Sequence, residues 1–354
     1  MRIRSLTYFT EVPRDWGREC VRGIIEEGLS VLGTASDYLK GAGYGVWSLR
    51  LSLPKPPPRM LSYLTDVLTD VVDTSKYLVS VGGAYLSYVS GEEVAEAASQ
   101  GLYVPLLGLI EDVGRYSLGA SEVIHEVAEV DPVGAAKVAV LVSDKVLETP
   151  YYPLSTSSGR AGLGISYLYV DLVAEVVRGR LSVEVVKEEL RRPLEILSSA
   201  GYRVVADYSL SPWMEESVAG LIELMGFNLK SVGVNYAVLK LNEVVKEVLT
   251  TEYASGFNEV MMPYAEDSRL KELGCVGELK VRDLLTYTVT CVAGPDMAVV
   301  PWGINELRNL ILDAYAIWRV KGRPVGVRVV PTTASAGDLA ELGIFGKVCV
   351  ISYD

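Results

Sequence analysis

Short apolar, β-branched runs alternate with amphipathic helical stretches along most of this 354-residue chain. Ten of these runs have the length and composition of strands: Ile3–Phe9, Gly45–Leu51, Tyr77–Val81, Val138–Leu141, Gly164–Val170, Val204–Tyr208, Glu259–Pro263, Leu285–Cys291, Val325–Val330 and Lys347–Ser352. Alternation of this kind is typical of βα units around a parallel sheet. Ten strands exceed the eight of a standard β/α barrel, so the pattern alone leaves a large open sheet and a ten-stranded barrel as alternatives.

The amphipathic stretches predict nine helices, which are Asp15–Leu32, Met60–Asp73, Glu92–Gln100, Leu118–Val130, Pro132–Leu147, Val183–Ala200, Ser211–Met225, Leu239–Thr250 and Ile304–Val320. The stretch Val138–Leu141 carries both predictions, because a short apolar run does not distinguish a strand from a buried helix. Four prolines in Leu53–Pro58 force an extended connection. A clear helix follows this connection, so we interpret it as a stiff loop inside one domain that spans residues 1–354.

The chain carries 33 Lys and Arg residues against 45 Asp and Glu residues, a formal net charge of −12. Nucleic acids and anionic membrane surfaces both require a clustered basic face, so this balance disfavours both as partners. The N-terminus lacks the apolar stretch of a signal peptide, and the run Val133–Val142 is too short to cross a bilayer, which predicts a cytoplasmic protein. A small-molecule ligand is the expected partner, and a homodimer is the default oligomer. The single glutamine, Gln100, favours a thermophilic source.

The residues that usually build covalent or metal sites are sparse. The four cysteines are widely spaced and form no CxxC pair, which predicts reduced thiols without a disulfide framework or a zinc site; they are Cys20, Cys275, Cys291 and Cys349. His125 is the only histidine and lies in a charged amphipathic helix, so a multi-histidine metal site is excluded and catalysis by this residue is disfavoured. The loop Ser155–Gly164 lacks the spacing of a phosphate-binding loop and precedes a strand, so it is either a flexible lid or a plain solvated loop.

Four segments of the second half occur in an order that resembles one uncharacterised family. They are Val204–Pro212 with Glu216–Ala219 and Leu224–Gly226; Tyr253–Phe257 with Met262–Asp267; Thr290–Met297 with Pro301; and Val327–Pro331 with Gly337–Asp338, Glu341–Gly343 and Phe345–Gly346. Together they resemble the motifs of the family known as domain of unknown function 711, or uncharacterised protein family 0210. Weaker similarity extends to Arg4–Thr7, Val81–Ala84 and Thr149–Pro153.

This resemblance implies a ten-stranded β/α barrel, because the family is similar in fold to the pyruvate formate-lyase-like superfamily of glycyl-radical lyases. Glycyl-radical chemistry itself is not expected, since Pro331 follows Arg328-Val329-Val330 where a radical glycine would be needed. Three polar loops depart from the family pattern; they are Pro212–Met214, Pro301–Ile304 and Lys321–Gly326. We therefore expect that the protein keeps the barrel of the family and differs from the family in its ligand or activity.

Four carboxylates at the expected carboxyl ends of strands are the leading candidate site residues: Asp207, Glu266, Asp267 and Asp296. In β/α barrels the loops at those ends converge around the active site. A pocket of oxygen ligands predicts a Mg²⁺ or Ca²⁺ site formed by these four residues, or acid–base catalysis by Asp207 and Asp296. The alternative is that each carboxylate caps the helix that follows it.

Other side chains complete the predicted site. Cys291 is the third candidate catalytic residue, although an isolated strand cysteine is more often simply buried. Arg328 lies between valines on a predicted interior strand, where it needs either a carboxylate partner or an anionic ligand. Together with Arg160, Ser209 and Asp338, it forms the predicted substrate-binding set.

Two functional hypotheses follow. The first is an enzyme that acts on a small polar or anionic metabolite through a carboxylate-rich pocket at the barrel mouth. The second is a non-catalytic binding or regulatory protein that kept the barrel and lost the active-site loops, with Trp213 and Trp302 filling the pocket. The sequence contains no glycyl-radical, haem, zinc or nucleotide-binding motif under either hypothesis.

Overall fold

Ten strands form the main sheet of the protein, whose residues 1–354 are all described by a computed structural model. They are β1 (Arg2–Phe9), β2 (Val46–Ser52), β3 (Tyr77–Ser80), β4 (Ala84–Tyr85), β5 (Leu102–Leu107), β6 (Val138–Val142), β7 (Gly162–Leu168), β8 (Val204–Asp207), β9 (Asp296–Pro301) and β10 (Val325–Thr332). Two short strands, β11 (Leu339–Glu341) and β12 (Lys347–Cys349), pair separately near the C-terminus.

The strand order of the main sheet is β8-β7-β1-β2-β3-β5-β6-β10-β9, with β4 beside β5. Strands β1 to β6 run parallel to one another. The pair β7 and β8 is antiparallel to β1, and the pair β9 and β10 is antiparallel to β6. The fold is therefore mixed α/β with a ten-stranded, mostly parallel sheet. Because β7 to β10 are reversed, the carboxyl ends of the strands do not all lie at one edge.

The segment 253–262 lies between the two edge strands of this sheet. Ser255 N–H donates to the Ala206 carbonyl at 2.9 Å, at the end of β8. Farther along the same segment, Met262 N–H donates to the Ala293 carbonyl at 3.2 Å, just before β9. The segment is not a regular strand, but its backbone bonds to both edges of the sheet.

Twelve α-helices cover the outer face of the sheet and the ends of the fold. They are α1 (Arg18–Gly41), α2 (Leu61–Val71), α3 (Gly91–Ser99), α4 (Val113–Val130), α5 (Pro132–Ala135), α6 (Val170–Val177), α7 (Val183–Ser199), α8 (Val218–Leu224), α9 (Val234–Val248), α10 (Ser268–Cys275), α11 (Val281–Tyr287) and α12 (Ile304–Lys321). Side-chain caps set several helix starts: Ser90 forms a capping box with Glu93, and Asp112 and Asp267 accept hydrogen bonds from first-turn N–H groups.

The two faces of the sheet carry different residues. On β2, Leu49 and Leu51 point outward into the large apolar core shared with the helices, whereas Ser48 and Arg50 face inward. A second, smaller core lies on the inner face and consists of Leu107, Ala139, Leu141, Leu147, Tyr151, Leu154, Phe257, Met261, Val292 and Ala293. Strand alternation thus separates an apolar outer face from a mixed inner face.

Most long elements agree with their sequence predictions, and four differ. Leu285–Cys291 was predicted as a strand but begins inside helix α11, and Glu259–Pro263 forms only isolated backbone bridges. The helix prediction Pro132–Leu147 is wrong after Ala135, because Val138–Val142 is the buried strand β6. The helix predicted from Ser211 begins only at Val218. Strands β4, β5, β9 and β11 and helix α6 were not predicted.

The cysteines contradict the prediction of reduced thiols. Cys275, at the end of α10, is disulfide-bonded to Cys349 on β12, with their Cα atoms 5.1 Å apart. These residues are 74 positions apart in the chain, so only the folded structure brings them together. Cys20 and Cys291 are free. No helix combines the length and apolar composition that a membrane span requires.

Candidate functional site

A cavity of about 240 Å³ lies against the inner face of the sheet. Its apolar walls come mainly from the smaller core and from aromatic side chains, namely Trp47, Tyr103, Tyr151, Tyr152, Trp213, Phe257 and Phe345. Five charged side chains also line it: Arg4, Arg50, Glu266, Asp296 and Arg328. Aromatic walls with a few convergent polar groups are typical of a small-molecule site.

Four of the charged residues form one buried network. Glu266 accepts hydrogen bonds from Arg4 and from Arg328, the latter at 2.8 Å to its Oε1. Arg328 also binds both oxygens of Asp296, with Nε–Oδ1 at 2.5 Å and Nη2–Oδ2 at 3.1 Å. Each carboxylate therefore has at least one arginine partner, and Arg328 bridges the two.

Strand register and two irregularities bring these side chains together. Asp296 and Arg328 are directly paired across the parallel strands β9 and β10, and the register shifts immediately after them. The register of β1 against β7 also shifts between Ile3 and Ser5, at Arg4. Such bulges redirect side chains, and here Arg4 lines the cavity while the next residue, Ser5, bonds inward to Ser166.

The network separates the pKa values of its two carboxylates. Burial alone would raise the pKa of Glu266, but Arg4 and Arg328 more than offset this and lower it below the usual value. Burial raises the pKa of Asp296 above its usual value despite the opposing effect of Arg328. Burial would lower the pKa of Arg328, yet Asp296 and Glu266 raise it overall. The Glu266 carboxylate is thus the more strongly held anion.

Arg50 lines the same cavity without a carboxylate partner. It is only 7% exposed, and it donates from Nε to Ser48 Oγ at 3.0 Å and from Nη1 to the Pro150 carbonyl at 2.8 Å. Its Nη2 makes no hydrogen bond within the protein, and its guanidinium lies 5.0 Å from the centre of the Tyr152 ring. Burial, reinforced by Arg4, lowers the pKa of Arg50 to about 10. Arg50 is therefore a buried cation that lacks an anionic partner in the protein.

Aromatic rings surround the cations. The Tyr103 and Tyr152 rings are 5.0 Å apart, and burial raises the pKa of the Tyr103 phenol while Arg50 and Arg328 oppose that shift. Arg4 lies 5.7 Å from the rings of Tyr151 and Trp213, among others. These contacts hold the guanidinium groups in place from the apolar side.

The structure places Asp207 outside this cavity. Its carboxylate accepts five hydrogen bonds, from Thr149 Oγ1, both Ser209 N–H and Oγ, Phe257 N–H and Asn258 N–H, at 2.6 to 3.1 Å. The turn at Gly256 wraps closely over it: φ is +84°, and a Cβ atom there would lie 2.2 Å from Asp207 Oδ2. Asp207 and Ser209 therefore join β8 to the segment 253–262 rather than facing a ligand.

Asp267 also lies away from the cavity, although it directly follows Glu266. It accepts from Ser217 Oγ at 2.5 Å and Ala219 N–H at 3.0 Å, and it caps α10 through the N–H groups of Arg269 and Leu270. The four carboxylates predicted as a Mg²⁺ or Ca²⁺ set are thus split between separate places. No group of three or more Asp, Glu, His or Cys side chains is arranged to hold a metal ion.

The remaining predicted site residues are dispersed. Cys291 is fully buried outside the cavity, and burial raises its thiol pKa to about 12. Arg160 and Asp338 are both exposed on the surface, and Asp338 accepts from Ser335 N–H at 2.9 Å. Of the two tryptophans predicted to fill the pocket, Trp213 lines the cavity and Trp302 packs instead on His125, with ring centres 4.8 Å apart.

The loop predicted as a lid or a solvated segment is partly internal. Ser155, Thr156 and Ser157 are buried, and their hydroxyls bond to Ser52 Oγ, the Gly82 carbonyl and the Thr10 carbonyl, respectively. Only the following residues, including Ser158 and Arg160, are exposed. The first part of this loop is therefore anchored in the interior, and only its later residues are free of such contacts to buried groups.

The sequence prediction missed Arg4, Arg50 and Tyr103. The first two are the basic residues of β1 and β2 that alternate with outward apolar side chains, which is a signal for an inward polar face. Arg4 and the tyrosines of Thr149–Pro153 also lie in two of the three segments with weak family similarity. Neither segment could be assigned a chemical role before the fold placed both beside Glu266.

Comparisons with known proteins give the family. The model of the family described as "Uncharacterised ACR (DUF711)" matches residues 119–343, more than half of the chain. A UPF0210 protein of Lactobacillus helveticus is 26% identical over 258 residues, which cover 65% of this chain and 57% of that protein. UPF0210 protein MK1214 of Methanopyrus kandleri is 33% identical over 156 residues, covering 41% of this chain and 34% of that protein.

UPF0210 protein MJ1665 of Methanocaldococcus jannaschii is 28% identical over 159 residues, which cover 42% of this chain and 35% of that protein. The chain therefore matches at most a little over half of the length of these three relatives. The family match includes Asp296 and Arg328 and the whole segment between β8 and β9. The chain belongs to the uncharacterised family DUF711, whose relatives carry the name UPF0210.

Proposed function

We propose that this protein binds a small anionic molecule in the cavity on the inner face of its sheet. The observation that carries the proposal is Arg50, a buried guanidinium that lines the cavity and has no carboxylate partner. Leaving a buried charge unpaired is costly, and an anion from solution that binds next to Arg50 would offset that cost. Arginine is also the side chain best suited to bind carboxylate or phosphate through two parallel hydrogen bonds.

Within this proposal, Glu266 and Asp296 adjust the charge of the site. Both are already bound by arginines, so they hold Arg4 and Arg328 in place and keep the site from becoming too positive. Asp296 is the single predicted catalytic residue that lines the cavity, but two hydrogen bonds from Arg328 occupy its oxygens. We therefore assign Asp296 to holding Arg328 in place rather than to proton transfer, which favours a binding protein over an enzyme.

The same proposal includes closure of the sheet into a ten-stranded barrel around the cavity. The supporting observation is the segment 253–262, whose backbone bonds to the β8 edge at Ala206 and Leu210 and to the β9 edge at Ala293. The smaller apolar core also lies entirely on the inner face, as expected for the interior of a barrel. The resemblance to the pyruvate formate-lyase-like superfamily implies the same closure.

A thermal-shift experiment tests the binding proposal. The purified chain is melted with acetate, benzoate, sulfate and inorganic phosphate, because a ligand at 100 times its Kd stabilises the native state by about 2.7 kcal/mol. At least one anion is expected to raise Tm by a few degrees in the wild type. Arg50→Gln should abolish the shift, and Arg50→Lys should weaken it because lysine lacks the planar fork of donors.

Arg160→Gln is the matched control, since it removes an exposed arginine that was also predicted to hold an anion. Its response to the anions should equal that of the wild type. If no anion shifts Tm, or if Arg50→Gln responds as strongly as the wild type, the binding proposal is wrong.

A further inference from the structure

This inference rests on the proposed function and specifies its ligand. We infer that the cavity takes a monocarboxylate with an apolar body of about one ring, rather than a phosphate, a dicarboxylate or an amine. Three features of the cavity support this: the charge that its side chains leave over, the donors that remain free, and the chemistry and size of its walls.

The charged side chains that line the cavity sum to one positive charge. Arg4, Arg50 and Arg328 face only two carboxylates, Glu266 and Asp296. Each carboxylate is bound by arginine, and Arg50 is the cation that remains. One negative charge would neutralise the cavity, whereas a dianion would introduce an unpaired charge of the opposite sign.

The free hydrogen-bond donors lie close to one another. Arg50 Nη2 and the Tyr103 hydroxyl both lack a partner in the protein, and Arg50 and Tyr103 both line the cavity. The Tyr152 ring lies 5.0 Å from the Arg50 guanidinium and its centre lies 5.0 Å from that of the Tyr103 ring, so Arg50 and Tyr103 both adjoin the same ring. Two neighbouring donors match the two oxygens of a carboxylate. An ammonium group would share the cavity with three guanidinium groups of the same charge. The two carboxylates that could bind it already accept hydrogen bonds from arginines.

The rest of the cavity is apolar and small. Fourteen of its 24 lining residues are hydrophobic, and they include Leu154, Phe257, Met261 and Ala293. Its volume of about 240 Å³ lies below the range of roughly 300–1,000 Å³ that is usual for drug-sized ligands. A ligand of about one ring would fill it, and its ring could stack against the aromatic walls.

Isothermal titration with a matched series tests the inference on the full-length chain. Phenylacetate is compared at pH 7.5 with 2-phenylethanol, 2-phenylethylamine, phenylmalonate and inorganic phosphate, which vary the charge around a constant or absent ring. Phenylacetate is expected to bind at least about tenfold more tightly than each of the others, the effect of one charge-assisted hydrogen bond. Tyr103→Phe should reduce phenylacetate affinity, and Arg50→Gln should abolish it.

A second variant tests the charge argument directly. Glu266→Gln removes one negative charge from the cavity, so phenylmalonate should gain affinity relative to phenylacetate by at least about tenfold. Arg160→Gln should leave every affinity unchanged. Circular dichroism spectra and melting curves of each variant establish that it is folded before titration.

The outcomes separate the two proposals. If phosphate or phenylmalonate binds the wild type as tightly as phenylacetate and requires Arg50, an anion site exists but the monocarboxylate inference is wrong. If the alcohol or the amine binds as tightly as phenylacetate, the inference is wrong as well. If none of the anions binds, the proposed function itself fails.

Discussion

Glu266 and Asp267 are consecutive residues with opposite surroundings. Glu266 belongs with Asp296 to the cavity pair, whose oxygens are bound by arginine side chains at the cavity. Asp267 belongs with Asp207 to the loop pair, whose oxygens accept from backbone N–H groups and hydroxyls. Glu266, Asp267 and Asp207 are buried, and the Asp296 side chain is 13% exposed. The comparison shows that the type of donor, rather than burial, separates carboxylates that hold the chain together from those that line the cavity.

The largest expected effect is a loss of stability when a carboxylate of the loop pair is replaced. Asp207→Asn removes the negative charge from all five hydrogen bonds, and in either amide orientation its NH₂ group faces at least one backbone N–H that loses its acceptor. We expect the free energy of unfolding to fall by about 3–5 kcal/mol. Urea denaturation measures this, with the exposed Asp338→Asn as control. A loss below about 1 kcal/mol would mean that Asp207 is not the structural carboxylate of this comparison.

The disulfide links one wall of the cavity to helix α10, and its removal tests how much this link contributes to stability. Ile344 and Phe345 line the cavity and belong to the C-terminal segment that Cys349 ties to Cys275. Cys275→Ser opens a loop closed across 74 residues, and we expect a loss of about 2–4 kcal/mol in stability. Unfolding of the wild type with and without dithiothreitol should show the same loss. Cys20→Ser, which removes a free thiol, should show none.

Substitutions of Asp267 test whether this member of the loop pair acts mainly as a helix cap. Asp267→Ala removes the acceptor for two N–H groups of α10 and for Ala219 N–H, and we expect a loss of about 2 kcal/mol. Asp267→Asn should cost about half as much, because asparagine caps helices nearly as well as aspartate. Denaturation of both variants measures the difference. Equal losses would contradict capping as the main role.

The smallest expected effect is a pH dependence confined to the cavity pair. The pKa of Asp296 is raised, so Asp296 takes up a proton at a higher pH than an ordinary aspartate, near 3.9. The pKa of Glu266 is lowered, so Glu266 stays ionised in that window. Acidification should therefore make the cavity more positive and strengthen the binding of phenylmethanesulfonate, whose own charge does not change there.

Titrations at successive pH values below 7 measure this rise, and Asp296→Asn should remove it. The two carboxylates of the cavity pair have opposite effects on how the stability of the folded state depends on pH. Glu266 stabilises the folded state above its unfolded pKa, and this contribution is lost as pH falls through its lowered folded pKa. The raised pKa of Asp296 acts in the opposite direction, because the folded state then binds the proton more readily than the unfolded chain. A binding curve that is flat in pH would contradict this account of the cavity pair.

Part of the candidate site could be predicted from residues alone. Arg328 between valines required a partner, and the structure supplies Asp296 and Glu266. The four carboxylates were all expected at strand ends facing one mouth, but Asp296 begins β9 and Asp267 caps a helix. The prediction assumed that all strands run in the same direction. Because β7 to β10 are reversed, strand ends in the second half of the chain do not meet those of the first.

The errors in the predicted secondary structure can be traced to particular residues. Strand β5 contains Pro105, which weakens a strand prediction, and β9 follows Gly294-Pro295, which suggests a turn. The predicted strand Leu285–Cys291 begins on the last three residues of α11 because these lead into a β-branched run, yet Val281, Leu284 and Tyr287 bury one helical face. Packing overrides weak local preference in such short segments.

The alternation of apolar strands with amphipathic helices determined the α/β class of this protein, because period and burial can be read from the order of residues. The family was also readable, since its motifs are local and ordered. Only the tertiary structure decided which charges meet. The bulge at Arg4, the reversal of β7 to β10 and the backbone bonds of segment 253–262 to both edges of the sheet accompany this arrangement. Arg4 meets Glu266, 262 positions away in the chain, and Glu266 meets Arg328. Coulomb interactions depend on distances in space, and those distances are set by strand direction and register rather than by the spacing of residues along the chain.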